Sequence, residues 1–188
     1  MSTALLTRAV IGFFVLLSTS QWLQGQSAVS DVAQEDQHFV CNTGYTHSAC
    51  HRQVEQLTRQ LSRFRQTLPH GWTWIIVRSR DWHDTLLRLH LDPQSPAFTV
   101  LERRQTFLSE TLFEPDAQSR AELLRTFKVP LDQILYVAVT HELGHAYCGE
   151  SHEGKAERFA EHLRTRGSAD CSSTRAASDT IATVPGWR

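Results

Sequence analysis

Within the stretch VAVTHELGHAYC, His141, Glu142 and His145 have the residue types and spacing to hold a metal ion and use it. On a helix, residues four apart lie one above the other on the same face, so both imidazoles can reach a single ion. Zinc suits such a pair, because it takes neutral imidazole nitrogens in a tetrahedral shell and leaves one position for water. Glu142 is turned about 100° around the axis from His141 and therefore flanks the ion. A carboxylate there can act as general base toward an activated water and pass the proton to a leaving amine. The plainer reading is a helix with two buried, hydrogen-bonded histidines.

The helix itself is predicted over residues 129–148. Ile134, Leu135, Val137, Ala138, Val139 and Leu143 make it largely buried, Pro130 lies near its start and Asp132 falls in its first turn. A second helix, EGKAERFAEHL, follows within a few residues. VTHELGHAYC resembles the active-site helix of the zincin metallopeptidases, and the later segment is similar to that of their glutamate-ligand branch, the gluzincins. Bacterial families of that branch carry E-x-x-A-(D/N/E)-x-(F/Y)-A on the following helix, among them relatives of phage-immunity regulators and membrane heat-shock peptidases. The resemblance covers about 30 residues. It implies a zincin-like α+β domain with a small sheet packed on the H-E-x-x-H helix, Zn2+ as cofactor and a peptide or protein as substrate. It further implies Glu153 as third ligand and Glu157 as the acid that supports a ligating histidine.

Counting residues across the turn gives another answer. If two antiparallel helices meet about residue 150, Glu157 lies opposite residue 143, between the histidines, with Glu161 one turn on as its support. His152 is a third candidate, although it stands one residue late for a metzincin ligand, a displacement of about 100° around a helix. Glu150 and His162 read as solvated. Tyr136, Tyr147 and His83 are candidate donors to a substrate carbonyl, with packing the plainer role for the tyrosines.

The rest of the chain must supply the scaffold. Val54, Leu57, Leu61, Phe64 and Leu68 recur every three or four residues and predict a helix over 48–68, with His47 and His51 at its solvated start. WTWIIV, 72–77, is aromatic and β-branched and predicts a buried strand. Residues 81–91 read as a short helix with Leu86, Leu87 and Leu91 inward, and 97–102 and 104–110 as neighbouring strands. Pro115 opens a helix to about Phe127. Residues 29–46 read as a tail and loop, 47–166 as the metallopeptidase domain, and 167–188 as a loosely ordered C-terminal tail.

With 188 residues, a net charge of −1 and 40% hydrophobic content, the chain suits one globular domain, and nothing in the charge balance points to nucleic acid or a membrane surface. Residues 1–28 have one Arg, an apolar run from Ala9 to Leu17 and a small, polar end, the layout of a secretory signal peptide cleaved near Gly25 or Ala28. An uncleaved N-terminal anchor is the competing reading. Removal of the peptide would place the protein outside the cell or in a periplasm, free of the membrane. Cys41, Cys50, Cys148 and Cys171 then predict two local disulfides, Cys41 with Cys50 and Cys148 with Cys171. The function expected is zinc-dependent peptide-bond hydrolysis. The alternatives are a non-catalytic, zinc-stabilised binding module on the same scaffold, and an exported structural protein in which the motif is accidental.

Overall fold

A computed structural model describes residues 37–174. The predicted signal peptide and the last part of the C-terminal tail lie outside these residues. The order of elements is β1 (Gln37–Cys41), α1 (His47–Leu61), β2 (Trp72–Val77), α2 (Ser79–Arg88), β3 (Ala97–Val100), β4 (Gln105–Ser109), α3 (Ala117–Phe127), α4 (Leu131–Cys148) and α5 (Glu153–Arg166), with short 3-10 turns between some of them. The fold is α+β, with a mixed four-stranded sheet in the order β1-β2-β4-β3. β1, β2 and β4 are parallel, and β3 runs antiparallel to β4 at the sheet edge.

Alternation along β2 sends Trp72, Trp74 and Ile76 to one face, where they meet Leu57 and Leu61 of α1 and Ala138, Val139 and Leu143 of α4. On the other face Val77 and Phe98 pack with Trp82 and Leu86 of α2. Both layers must be buried, which explains why β2 carries a nearly continuous apolar run. α4 is the central helix. Eleven of its residues from Ile134 to Ala146 are buried, most of them apolar, as suits a helix in the middle of a core.

Three expectations are corrected. Residues 37–41, read as part of a tail, form a strand that pairs in parallel with β2. Its signal is polar: Gln37 is buried, accepting from Trp74 Nε1 at 2.7 Å and donating to the Pro69 carbonyl at 2.6 Å. The first long helix ends at Leu61 and continues only as a 3-10 turn, interrupted at Phe64 by φ −127° and ψ 32°. Leu87 faces solvent at 51% exposure, since a residue next to the inward Leu86 is rotated about 100° away.

Two disulfides staple the fold, Cys41–Cys50 tying β1 to α1 and Cys148–Cys171 tying the end of α4 to the segment after α5. Among the described residues, no helix is long and apolar enough to cross a membrane.

α4 ends at Gly149, whose φ of 60° lets its N–H bond back to the His145 carbonyl, and α5 then returns along α4. The two helices come close at Gly144. A Cβ there would lie 2.5 Å from the Ala156 carbonyl oxygen and 2.8 Å from its Cα. Since both obstacles are backbone, a side chain at 144 must push the helices apart. Gly144→Ala is therefore expected to cost about 1–3 kcal/mol of stability, read from the denaturant midpoint. A gain of about 1 kcal/mol, as for Gly→Ala in an uncrowded helix, would show that α5 tolerates a wider spacing.

Candidate metal centre

His141, Glu142 and His145 occupy the buried middle of α4, with 1%, 1% and 7% of their surfaces exposed. His141 Nε2 and His145 Nε2 are 3.2 Å apart. From the first turn of α5, Glu153 Oε2 lies 3.0 Å from His141 Nε2 and 3.5 Å from His145 Nε2. These three atoms form a nearly equilateral triangle. A tetrahedral ion with ligand bonds of about 2.0–2.1 Å separates its ligand atoms by about 3.3–3.4 Å, so the triangle has the size of one face of such a shell. His141, His145 and Glu153 could thus hold a metal ion.

The far side of each imidazole is also engaged. His141 Nδ1 meets Glu157 Oε2 at 2.9 Å, and His145 Nδ1 donates to the Glu150 carbonyl at 2.6 Å. With the Nδ1 positions occupied, the Nε2 lone pairs are directed at the common point. Glu157 is itself held by Arg164, which donates to Oε1 at 2.5 Å and to Thr140 Oγ1 at 3.0 Å. Glu153 and Glu157 are one turn apart on the same face of α5, and the contact at Gly144 brings that face within reach of His141. Counting across the turn placed Glu157 between the histidines, but the chain rises out of Gly149 closely enough that Glu153 is the carboxylate within reach of both.

The remaining candidates are dispersed. His152 is exposed at the N-cap of α5, and Glu161 is exposed. Glu150, expected to be solvated, is instead half-buried at the edge of the site, and its carboxylate pairs with Lys155 at 3.1 Å. Tyr136 packs on Phe64, Tyr147 on Phe159, and His83 is exposed on α2. His47 and His51 stack at the exposed start of α1, with His51 3.6 Å from Glu55.

A cavity of about 270 Å³ opens beside His145 and Glu153 of the triad, lined by Leu91, Phe98 and Leu101 together with these two residues and Glu142. A larger hollow of about 870 Å³ lies beside α2 and includes Val40, Ile75 and Leu87. Its ionisable residues are exposed or half-exposed and none belongs to the triad, so the smaller cavity is the one placed for chemistry.

Sequence reasoning passed over Arg164 and the hydroxyl that meets Glu142, Thr99 Oγ1, which donates to Oε2 at 2.7 Å. Arg164 lies two helical turns from Glu157, a spacing that could have been noticed. Nothing about a threonine on a short strand marks it out.

Burial lowers the proton affinity of His141, but hydrogen bonds to Glu153 and Glu157 outweigh it and hold its pKa up at about 9. His145 is raised on the same balance, chiefly through Glu153. Burial works to raise Glu153 and Glu157 as well, yet their bonds to the imidazoles keep both below the usual carboxylate range. Burial is the largest influence on Glu142 and raises it.

The chain matches no protein-family model, no curated protein and no solved structure.

Three outcomes follow. A metal must displace the proton from His141, so binding releases protons and tightens with rising pH until about 9, as competition titration at several pH values would read. The metal-free chain behaves oppositely: the stabilisation from protonated His141 is complete below its unfolded value of about 6.5 and is lost as pH rises through about 9. Glu157→Gln is expected to weaken metal binding about 10- to 100-fold at fixed pH. Unchanged affinity would show that Glu157 does not support His141.

Proposed function

We propose that the protein is an exported zinc metallopeptidase of gluzincin type. The observation that carries this reading is the triangle of His141, His145 and Glu153 donor atoms beside a cleft lined by His145, Glu153 and Glu142. Two imidazoles and one carboxylate are the ligand set of catalytic zinc sites that keep a position open. The two disulfides fit an oxidising compartment, in keeping with export to the cell exterior or a periplasm.

When bound, zinc lowers the pKa of a water to about 7 and polarises a carbonyl oxygen. The roles of the chain's own groups follow from their positions. Glu142, beside the triad and anchored by Thr99, takes a proton from the attacking water and delivers it to the departing amine. Glu157 and Arg164 keep the His141 ring in orientation, and the Glu150 carbonyl does the same for His145. β3 pairs with β4 on one side only, so its other edge can align an extended peptide across the cleft by main-chain hydrogen bonds. Leu91, Phe98 and Leu101 offer apolar surface to a side chain of that peptide.

Glu142→Ala tests the reading. The variant should bind zinc stoichiometrically and cleave a peptide library at least about 100-fold more slowly than the wild type. Cleavage at the wild-type rate overturns the assignment, and zinc binding by a wild type that cleaves nothing favours a zinc-stabilised binding module.

A further inference from the structure

We infer that Thr99, Thr106 and Trp72 form a one-way hydrogen-bond chain across the sheet that fixes which oxygen of Glu142 handles the proton. The inference rests on the peptidase reading for its kinetic consequence, but its physical content does not.

The chain crosses three adjacent strands. Trp72 Nε1 on β2 donates to Thr106 Oγ1 on β4 at 3.0 Å. Thr106 Oγ1 lies 2.8 Å from Thr99 Oγ1 on β3, its direct partner in the antiparallel register. Thr99 Oγ1 lies 2.7 Å from Glu142 Oε2 on α4. Trp72, Thr106 and Glu142 are all buried.

An indole N–H can only donate, and Glu142 in its ionised form, the form that acts as a base, can only accept. With a donor-only group at one end and an acceptor-only group at the other, the two hydroxyls between them have a single proton order. Trp72 donates to Thr106, Thr106 to Thr99, and Thr99 to Glu142 Oε2. Oε2 is thus engaged from the sheet side, and Oε1 takes no part in the chain. The proton arriving from water therefore lands on Oε1 and leaves from it to the amine nitrogen, while Thr99 keeps its own proton throughout. Thr99 is a positioning residue: it stops the carboxyl from rotating and presents one oxygen to the cleft.

Reversing any link would leave a buried polar hydrogen without an acceptor, which costs more than the bond itself contributes. The bonds also polarise one another, so a change at Glu142 should be felt at the Trp72 indole.

The test has two independent readouts on the full-length protein. In the zinc-loaded form, Thr99→Val should lower kcat about 10- to 100-fold with KM and zinc content little changed, while the buried Thr106 and Glu142 groups it strands lower the melting temperature. Thr99→Ser, which keeps the hydroxyl, should stay within a few-fold of wild type, and Thr99→Ala replaces the valine variant if valine prevents folding. Equal loss in the serine and valine variants overturns the proposal, as does an unchanged kcat in the valine variant. The second readout needs no activity: the Trp72 indole N–H resonance, assigned through Trp72→Phe, should shift on Glu142→Gln when Thr99 is present. It should not shift on the same change in the Thr99→Val background. A shift that survives without Thr99, or none with it, overturns the chain. If the wild type cleaves nothing, the peptidase reading falls, and the indole resonance alone decides the proton order.

Discussion

The candidate metal centre depends on one backbone contact, the approach of α5 to α4 at Gly144 and Ala156. Helix axes usually stand 8–10 Å apart because side chains keep them there. Here glycine on one helix and alanine on the other remove that spacer, and the short carboxylates on α5 reach the imidazoles on α4. The glycine inside HELGH is therefore as much a part of the centre as the histidines flanking it. The αL turn at Gly149 contributes by starting the return immediately, so that the first turn of α5 already faces the second histidine.

Packing this tight concentrates charge. His141 is almost wholly buried and yet touches two carboxylates, with Glu142 as its chain neighbour. Groups of this kind can be taken out of water only if each is satisfied by another, and removal of one partner strands the rest. The arrangement avoids that by passing charge outward in steps, from His141 to Glu157, from Glu157 to Arg164 at the half-exposed edge. A divalent cation at the triad would replace the protons that hold the imidazoles and Glu153 together in the metal-free chain, so the same residues serve both states.

Much of this was legible in the sequence because it is local. H-E-x-x-H on an apolar helix, the glycine that ends it and the acids one turn apart on the next helix are all patterns of a few residues. The two disulfides were readable from count and proximity. What could not be read depended on distant partners. Gln37 is polar, and only the Trp74 indole makes it part of a sheet. Thr99 has no distinguishing spacing, and its value arises because β3 closes the sheet beside α4. The choice between Glu153 and Glu157 turned on how close two backbones come, which a count of residues across a turn does not contain.

The Cys148–Cys171 bond encloses the whole of α5, since the 23-residue span it closes begins at the last residue of α4 and passes beyond Arg166. The helix that carries both carboxylates is thus anchored at its two ends, once by the turn at Gly149 and once by a covalent clasp. Were an ion held at the triad to leave, Glu153 could not drift far from the histidines, and its effective concentration at that position would stay high. Loss and recapture of metal would then be local exchanges in a standing cradle, with no need to refold the helix pair each time.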